Sequence, residues 1–237
     1  MTPRFAALFP LLLLAACQAL PPAGKSAALA EPIASEARLP AAATRFTVDP
    51  AASEIRLLVY RTGPLARFGH NHVVTGPVSG EIRAGESAAK SGFWLDVKVA
   101  SLNVDQASAR REEGKEFAAE VSPQARRGTR ANMLGEAVLD AQRYPEIRIV
   151  SVALSGPRWN PTVVARTTLH GVTRDLRFPA AVIEDGRRLT VVASFTIRQS
   201  DFGITPFVTL GGGLRVRDAI DIRIRIVARR ESGKGAS

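Results

Sequence analysis

Across residues 162–204 the chain reads TVVARTTLHGVTRDLRFPAAVIEDGRRLTVVASFTIRQSDFGI, with apolar residues at nearly every second position. A period of two puts those side chains on one face of an extended strand, whereas a helix would scatter them. Val163, Ala165, Thr167 and Leu169 share one face, followed by Leu176, Phe178, Ala180 and Val182, and then by Leu189, Val191, Ala193, Phe195 and Ile197. Gly171 and Glu184-Asp185-Gly186 separate the runs with residues that accept the backbone angles of a reversal. The pattern predicts a three-stranded antiparallel meander.

The alternation recurs elsewhere. Residues 45–49 and 54–61 read as strands around a Pro50-Ala51-Ala52-Ser53 turn, and residues 73–83 as a strand broken at Gly76-Pro77. In residues 92–104, Phe93, Leu95, Val97 and Val99 share a face; residues 146–155 return to strand. In residues 219–229, Ile220, Ile222, Ile224 and Ile226 oppose Asp221, Arg223, Arg225 and Val227. The fold class expected is all-β and mainly antiparallel: an up-and-down barrel of about eight strands, which closes its own edges. Residues 105–143 depart from this, being rich in Ala, Glu, Arg and Leu and divided by Gly114, Pro123 and Gly128. Short helices are expected there, the last over residues 131–141 with Met133, Leu134, Ala137 and Val138 as its apolar stripe. Gly211-Gly212-Gly213 lacks the context of a nucleotide-binding loop and reads as a loop or bulge at the barrel rim.

The first residues carry a different signal. A basic start at Arg4 precedes an apolar run over residues 5–14, far short of the ~20 residues a membrane span needs. It ends in Leu14-Ala15-Ala16-Cys17, which resembles the lipobox of bacterial lipoproteins, so residues 1–16 are expected to be a signal peptide and Cys17 the lipidated residue. Gln18 after the cysteine points to the outer membrane, which places the protein in the periplasm, anchored through Cys17. The other reading of Cys17 is an incidental cysteine at the end of an ordinary signal; as the sole cysteine it excludes an internal disulfide. Residues 17–44, rich in Ala and Pro, read as a tether, residues 45–230 as the barrel and residues 231–237 as a disordered tail. With 32 Lys and Arg against 22 Asp and Glu the formal charge is +10, which suits anionic partners, and export argues against nucleic acid.

LHGVTRDLRF, FTIRQSDFGI and the closing isoleucine strand, preceded by FTVDPAASEIRLLVYR, GEI, LDVKVASLNV and RYPEIRIVS, resemble in order the YceI-like family, lipocalin-like periplasmic proteins associated with isoprenoid lipids. The resemblance spans residues 45–229 and departs from the family pattern in the helical insertion. Strand parity puts Phe93, Leu95, Val97, Phe178, Phe195 and Ile222 on the inner face, and the resemblance implies that they line a lumen holding a polyisoprenoid or quinone-type lipid. The alternative from periodicity is a barrel filled by its own side chains. Arg198 and Asp201 of the same motif are expected to pair at a strand end.

Standard catalytic signatures are absent: there is no G-x-S-x-G, P-loop, H-E-x-x-H or dinucleotide glycine pattern. The sharpest chemical feature is Gly69-His70-Asn71-His72. In an extended chain His70 and His72 face the same side, as two imidazoles sharing a divalent metal must, with His170, Asp175 or Asp201 as third-ligand candidates. Against this stands a pair of hydrogen-bonded histidines shaping a loop at the barrel mouth. For His170, within the Leu169-His170-Gly171 turn, a structural role is expected. Arg223, Arg225, Arg229 and Arg230, with Arg126, Arg127 and Arg130, form either a solvated face or a surface for anionic lipid. The expected function is non-catalytic binding, transport or sequestration of a long isoprenoid or quinone-type lipid in the cell envelope. The rivals are a metal-dependent enzyme or redox accessory using His70 and His72, and a ligand-free envelope interaction module.

Overall fold

The computed structural model describes residues 39–230; the signal peptide, Cys17, most of the tether and the C-terminal tail lie outside the described residues. The described chain forms β1 (Thr44–Val48), β2 (Glu54–Thr62), β3 (His72–Pro77), β4 (Ser79–Ala84), β5 (Gly92–Lys98), β6 (Asn103–Val104), α1 (Ala107–Glu112) and α2 (Pro123–Leu134). Then follow β7 (Glu146–Ser155), β8 (Thr162–Leu169), β9 (Val172–Asp185), β10 (Arg188–Arg198), β11 (Val208–Thr209) and β12 (Leu214–Arg230).

All pairings are antiparallel, and eight strands close a ring in the order β1-β4-β5-β7-β8-β9-β10-β12, with β12 pairing back to β1. The seventeen residues of β12 carry β1 at one end, through Val48 opposite Ala228, and β2 along the rest, through Glu54 opposite Arg225 to Val59 opposite Ile220. β2, β3 and β6 thus continue the positions of β1, β4 and β5 toward the other end of the barrel. The Pro50–Ser53 turn therefore bulges without reversing the chain. Closure leaves no free ring edge.

The meander appears as expected in β8, β9 and β10. Its first reversal places His170 at φ 53° and Gly171 at φ 73°, and a Cβ on Gly171 would lie 2.5 Å from the Tyr144 ring. Strand parity also holds on β12, where Ile220, Ile222, Ile224 and Ile226 are buried. Val227 departs from it: on the opposite face it is wholly buried, because the Pro50–Ser53 bulge folds over it. Asp49 N–H donates to Val227 O, and Ser53 Oγ accepts from Val227 N–H.

The helical insertion caps one end of the barrel, with its last helix earlier than expected. Pro123 does not divide a helix but begins α2: Ser122 Oγ accepts from Ala125 N–H at 3.2 Å, and proline suits the first turn, where its missing N–H costs nothing. The helix stops at Leu134, and tight turns follow over residues 135–143. Met133, Leu134 and Val138 do pack on the core, joined by Leu139 and Ala141, while Ala137 is exposed. Arg130 pins the cap, donating to Leu102 O and Ala100 O.

Gly80 on β4 has φ +151°, and a Cβ there would stand 2.2 Å from the Trp94 carbonyl oxygen of β5. Gly80→Ala is expected to cost more than about 1 kcal/mol, read as a lower urea midpoint with an unchanged slope, because the backbone angle and the close approach both exclude a side chain.

Candidate functional site

The barrel interior is filled along most of its length and open at one end. There it holds a cavity of about 90 Å³. The strands that build it contribute alternate residues, as strand geometry requires: Ile82 and Ala84 from β4, Phe93 and Leu95 from β5, Val163 from β8, Phe178, Ala180 and Val182 from β9, Val191 and Ala193 from β10, Ile224 and Ile226 from β12. Among the described residues lining it, only Ser91 and Arg158 have polar side chains. Arg158 turns to Glu184 at 2.6 Å, so the charge is paired at the rim. The connection between β7 and β8 is tied beside the cavity by Val182 N–H donating to Trp159 O and by Asn160 Nδ2 donating to Ala180 O. This leaves Trp159 (70% exposed) and Ile183 (64%) as large apolar side chains next in sequence to lining residues.

Of the six residues assigned to the lumen from strand parity, Phe93, Leu95 and Phe178 line the cavity. Phe195 stacks on Phe178, with centroids 4.2 Å apart and planes 13° from parallel. Val97 and Ile222 face inward too but lie in the packed part of the core, Val97 fully buried and Ile222 opposite Phe195. Parity places all six on the inner side; only side-chain volume decides which meet open space.

At His70 and His72 the structure brings together a second group. His72 begins β3 opposite Val59, and its Nδ1 lies 2.7 Å from Asp105 Oδ2. Asp105, just past β6 at φ 54°, also accepts from Val73 N–H through Oδ1, which Arg110 contacts as well. Burial opposes ionisation of this carboxyl, yet the hydrogen bonds from His72, the Val73 N–H and Arg110 outweigh it and hold its pKa below the usual carboxylate range. The His70 ring packs edge-on against His72 at 4.6 Å between centroids, and burial, with His72 beside it, pushes its pKa down. The third-ligand candidates named from sequence are elsewhere. His170 packs on Tyr144 at 4.8 Å, and Asp175 forms a two-bond pair with Arg166. Asp201 is exposed, and the expected Arg198–Asp201 pair is replaced by Arg198–Asp218 at 3.9 Å, since Asp218 also holds Ser200 N–H and Oγ and so fixes the strand end.

The arginines expected to form one basic surface are largely engaged locally. Arg223 pairs with Glu113 at 2.5 Å and Arg229 with Asp49 at 3.3 Å, while Arg225 reaches Ala52 O and Arg126 reaches Asp105 O.

The fold is similar to the crystal structure of Burkholderia cenocepacia BcnA, with 17% identity, 76% of this chain and 98% of that one covered and a TM-score of 0.56. It is also similar to a polyisoprenoid binding domain from Saccharophagus degradans implicated in plant cell wall breakdown, at 13% identity, 78% and 98% coverage and a TM-score of 0.52. No curated protein matches the chain in sequence. The YceI-like domain model matches residues 46–228, from within the first strand to within the last, and the chain therefore belongs to the YceI-like family.

Proposed function

We propose that this protein is a non-catalytic binder of a long apolar lipid of isoprenoid or quinone type, which it carries or sequesters in the cell envelope, held to the membrane through Cys17. The observation that supports the reading is the cavity itself, an opening into the barrel whose lining is apolar except at the rim. Such a wall offers no group to bind a polar solute, whereas each methylene moved into it from water contributes about 0.8 kcal/mol. Its 90 Å³ is small beside the ~300–1,000 Å³ of sites that engulf a whole small molecule. The cavity therefore seats the end of a chain, and the remainder of the ligand runs out past Trp159 and Ile183 or displaces the Phe178–Phe195 stack. The polyisoprenoid binding of the Saccharophagus degradans relative agrees with this ligand class.

The test is mass spectrometry of organic extracts of the Cys17→Ser protein purified from a bacterial envelope, so that anchor acyl chains do not contribute. About one polyprenyl or quinone molecule per chain is expected. No bound lipid, together with no uptake of added polyprenol, would leave the barrel as a ligand-free interaction module.

A further inference from the structure

We infer that Gly69-His70-Asn71-His72 forms a binding site for a late first-row divalent cation, Cu²⁺ or Zn²⁺, with the two imidazoles as protein ligands and Asp105 as the carboxylate that orients His72. A ring nitrogen of each histidine and a carboxylate oxygen of Asp105 lie within 4.8 Å of one another. Two nitrogens bound to one ion at ~2.0–2.1 Å each stand about 3–4 Å apart, a separation within reach of two rings whose centroids are 4.6 Å apart.

The donor chemistry distinguishes ligand from support. Both oxygens of Asp105 are occupied, Oδ1 by Val73 N–H and Arg110, Oδ2 by His72 Nδ1. With the Nδ1–H of His72 donated to Asp105, its Nε2 keeps the free lone pair, the arrangement in which a carboxylate sets the tautomer of a metal-binding histidine. His70 Nε2 is buried and has no hydrogen-bond partner among the described residues. A buried polar atom left without a partner is unfavourable, and an ion beside it would remove that cost.

The backbone carrying the two rings is held with unusual investment. Asn71, between them, accepts from Arg61 N–H through Oδ1, donates to Glu116 O through Nδ2 and gives its own carbonyl to Arg110. Arg110 and Asp105 are 5% and 1% exposed. Buried ion pairs are poor sources of net stability, so a network of this kind is better explained by what it positions, and what it positions is two imidazoles. Beside them lies a pocket of about 230 Å³, lined also by Tyr60, Arg61, Thr129, Thr209 and Arg215, with room for the water molecules that complete the coordination sphere. It shares no lining residue with the apolar cavity and is separated from it along β12 by roughly 25 Å, counted from Val216 to Ile224. The inference is therefore independent of the lipid reading.

The test is titration of the chelator-stripped full chain with CuSO4 and with ZnCl2, by calorimetry and by competition with a chelating dye. One ion per chain is expected, Cu²⁺ more tightly than Zn²⁺, as imidazole sites order these metals. His70→Ala and His72→Ala are expected to weaken binding at least about 100-fold, and Asp105→Asn about 10–100-fold, the usual effect of removing an orienting partner. His170→Ala is expected to change nothing. Electron paramagnetic resonance of the Cu²⁺ form should show two coordinated imidazole nitrogens, and one in His70→Ala. His70→Ala removes no hydrogen bond of Nε2, so it should keep the wild-type unfolding midpoint, which separates loss of metal from loss of fold. Equal affinities of wild type and His70→Ala would overturn the site, as would a pocket that takes inorganic phosphate but neither metal.

Discussion

Asp105→Ala is expected to destabilise the protein by about 3–5 kcal/mol, lowering its thermal midpoint by roughly 10 °C or more. The loss has two sources. Arg110, almost fully buried, would keep its contacts to Asn71 O and Ala119 O but lose the only carboxylate it pairs with among the described residues, leaving a largely buried charge unpaired. Val73 N–H and His72 Nδ1 would lose their acceptor at the same time. Asp105→Asn keeps an acceptor without the charge and should cost less. Arg110→Met added to Asp105→Asn should recover part of the loss, because the uncompensated cation is then gone; with Arg110→Met alone as the fourth corner, the cycle gives the coupling energy of the pair. The acid limb of the stability curve gives a further sign. A carboxyl whose folded pKa lies below its unfolded value contributes fully above the ordinary carboxylate range and loses that contribution as pH falls through the lowered value. Wild type should therefore lose more stability than Asp105→Asn between neutral pH and pH 2. A cost under about 1 kcal/mol for Asp105→Ala would mean that the network does not hold this end of the barrel.

What the sequence makes legible here follows from the range of the interactions. Strand faces are local: Val163 to Leu169 or Ile220 to Ile226 announce their burial by alternation, and the hairpin at His170-Gly171 is set by two adjacent residues. Barrel closure could be inferred because so many short antiparallel strands have few other ways to cover their edges. The division of the interior into a filled part and a cavity is not local. Val97 and Ile222 carry the same parity signal as Phe93 and Phe178, and only the volumes that meet across the barrel put the first two in packed core and the second two at open space. Asp105 was hidden for a similar reason. It is 33 residues from His72, at the boundary between a strand and a helical insertion, and no spacing rule connects them. The start of α2 is legible locally: Ser122-Pro123 is a helix-initiating pair, and the proline acts there as a first-turn residue, not as a breaker, which sets the helix earlier than residues 131–141.

Ala193→Leu is expected to weaken uptake of a polyprenyl or quinone ligand about 50-fold while leaving the unfolding midpoint unchanged or slightly raised. Ala193 on β10 stands opposite Ala180 on β9 and Ile224 on β12, and all three line the cavity, so the new side chain projects into open space rather than into packed core. Overpacking a filled core costs about 1–3 kcal/mol. Filling a void instead gains contacts for atoms that lacked neighbours on one side, commonly about 0.5–2 kcal/mol of stability. The three added carbons occupy room that three ligand carbons would otherwise use. At about 0.8 kcal/mol each the ligand forfeits about 2.4 kcal/mol, a factor near 50. Val192→Leu serves as the control, since Val192 is 42% exposed on the outer face of the same strand and should leave uptake unchanged. Measured by fluorescence displacement from the purified protein, a 50-fold loss in Ala193→Leu with none in Val192→Leu would tie binding to this cavity. Equal uptake by both would place the lipid outside the barrel, on the exposed apolar side chains near its rim, and would make Trp159 and Ile183 the residues to change next.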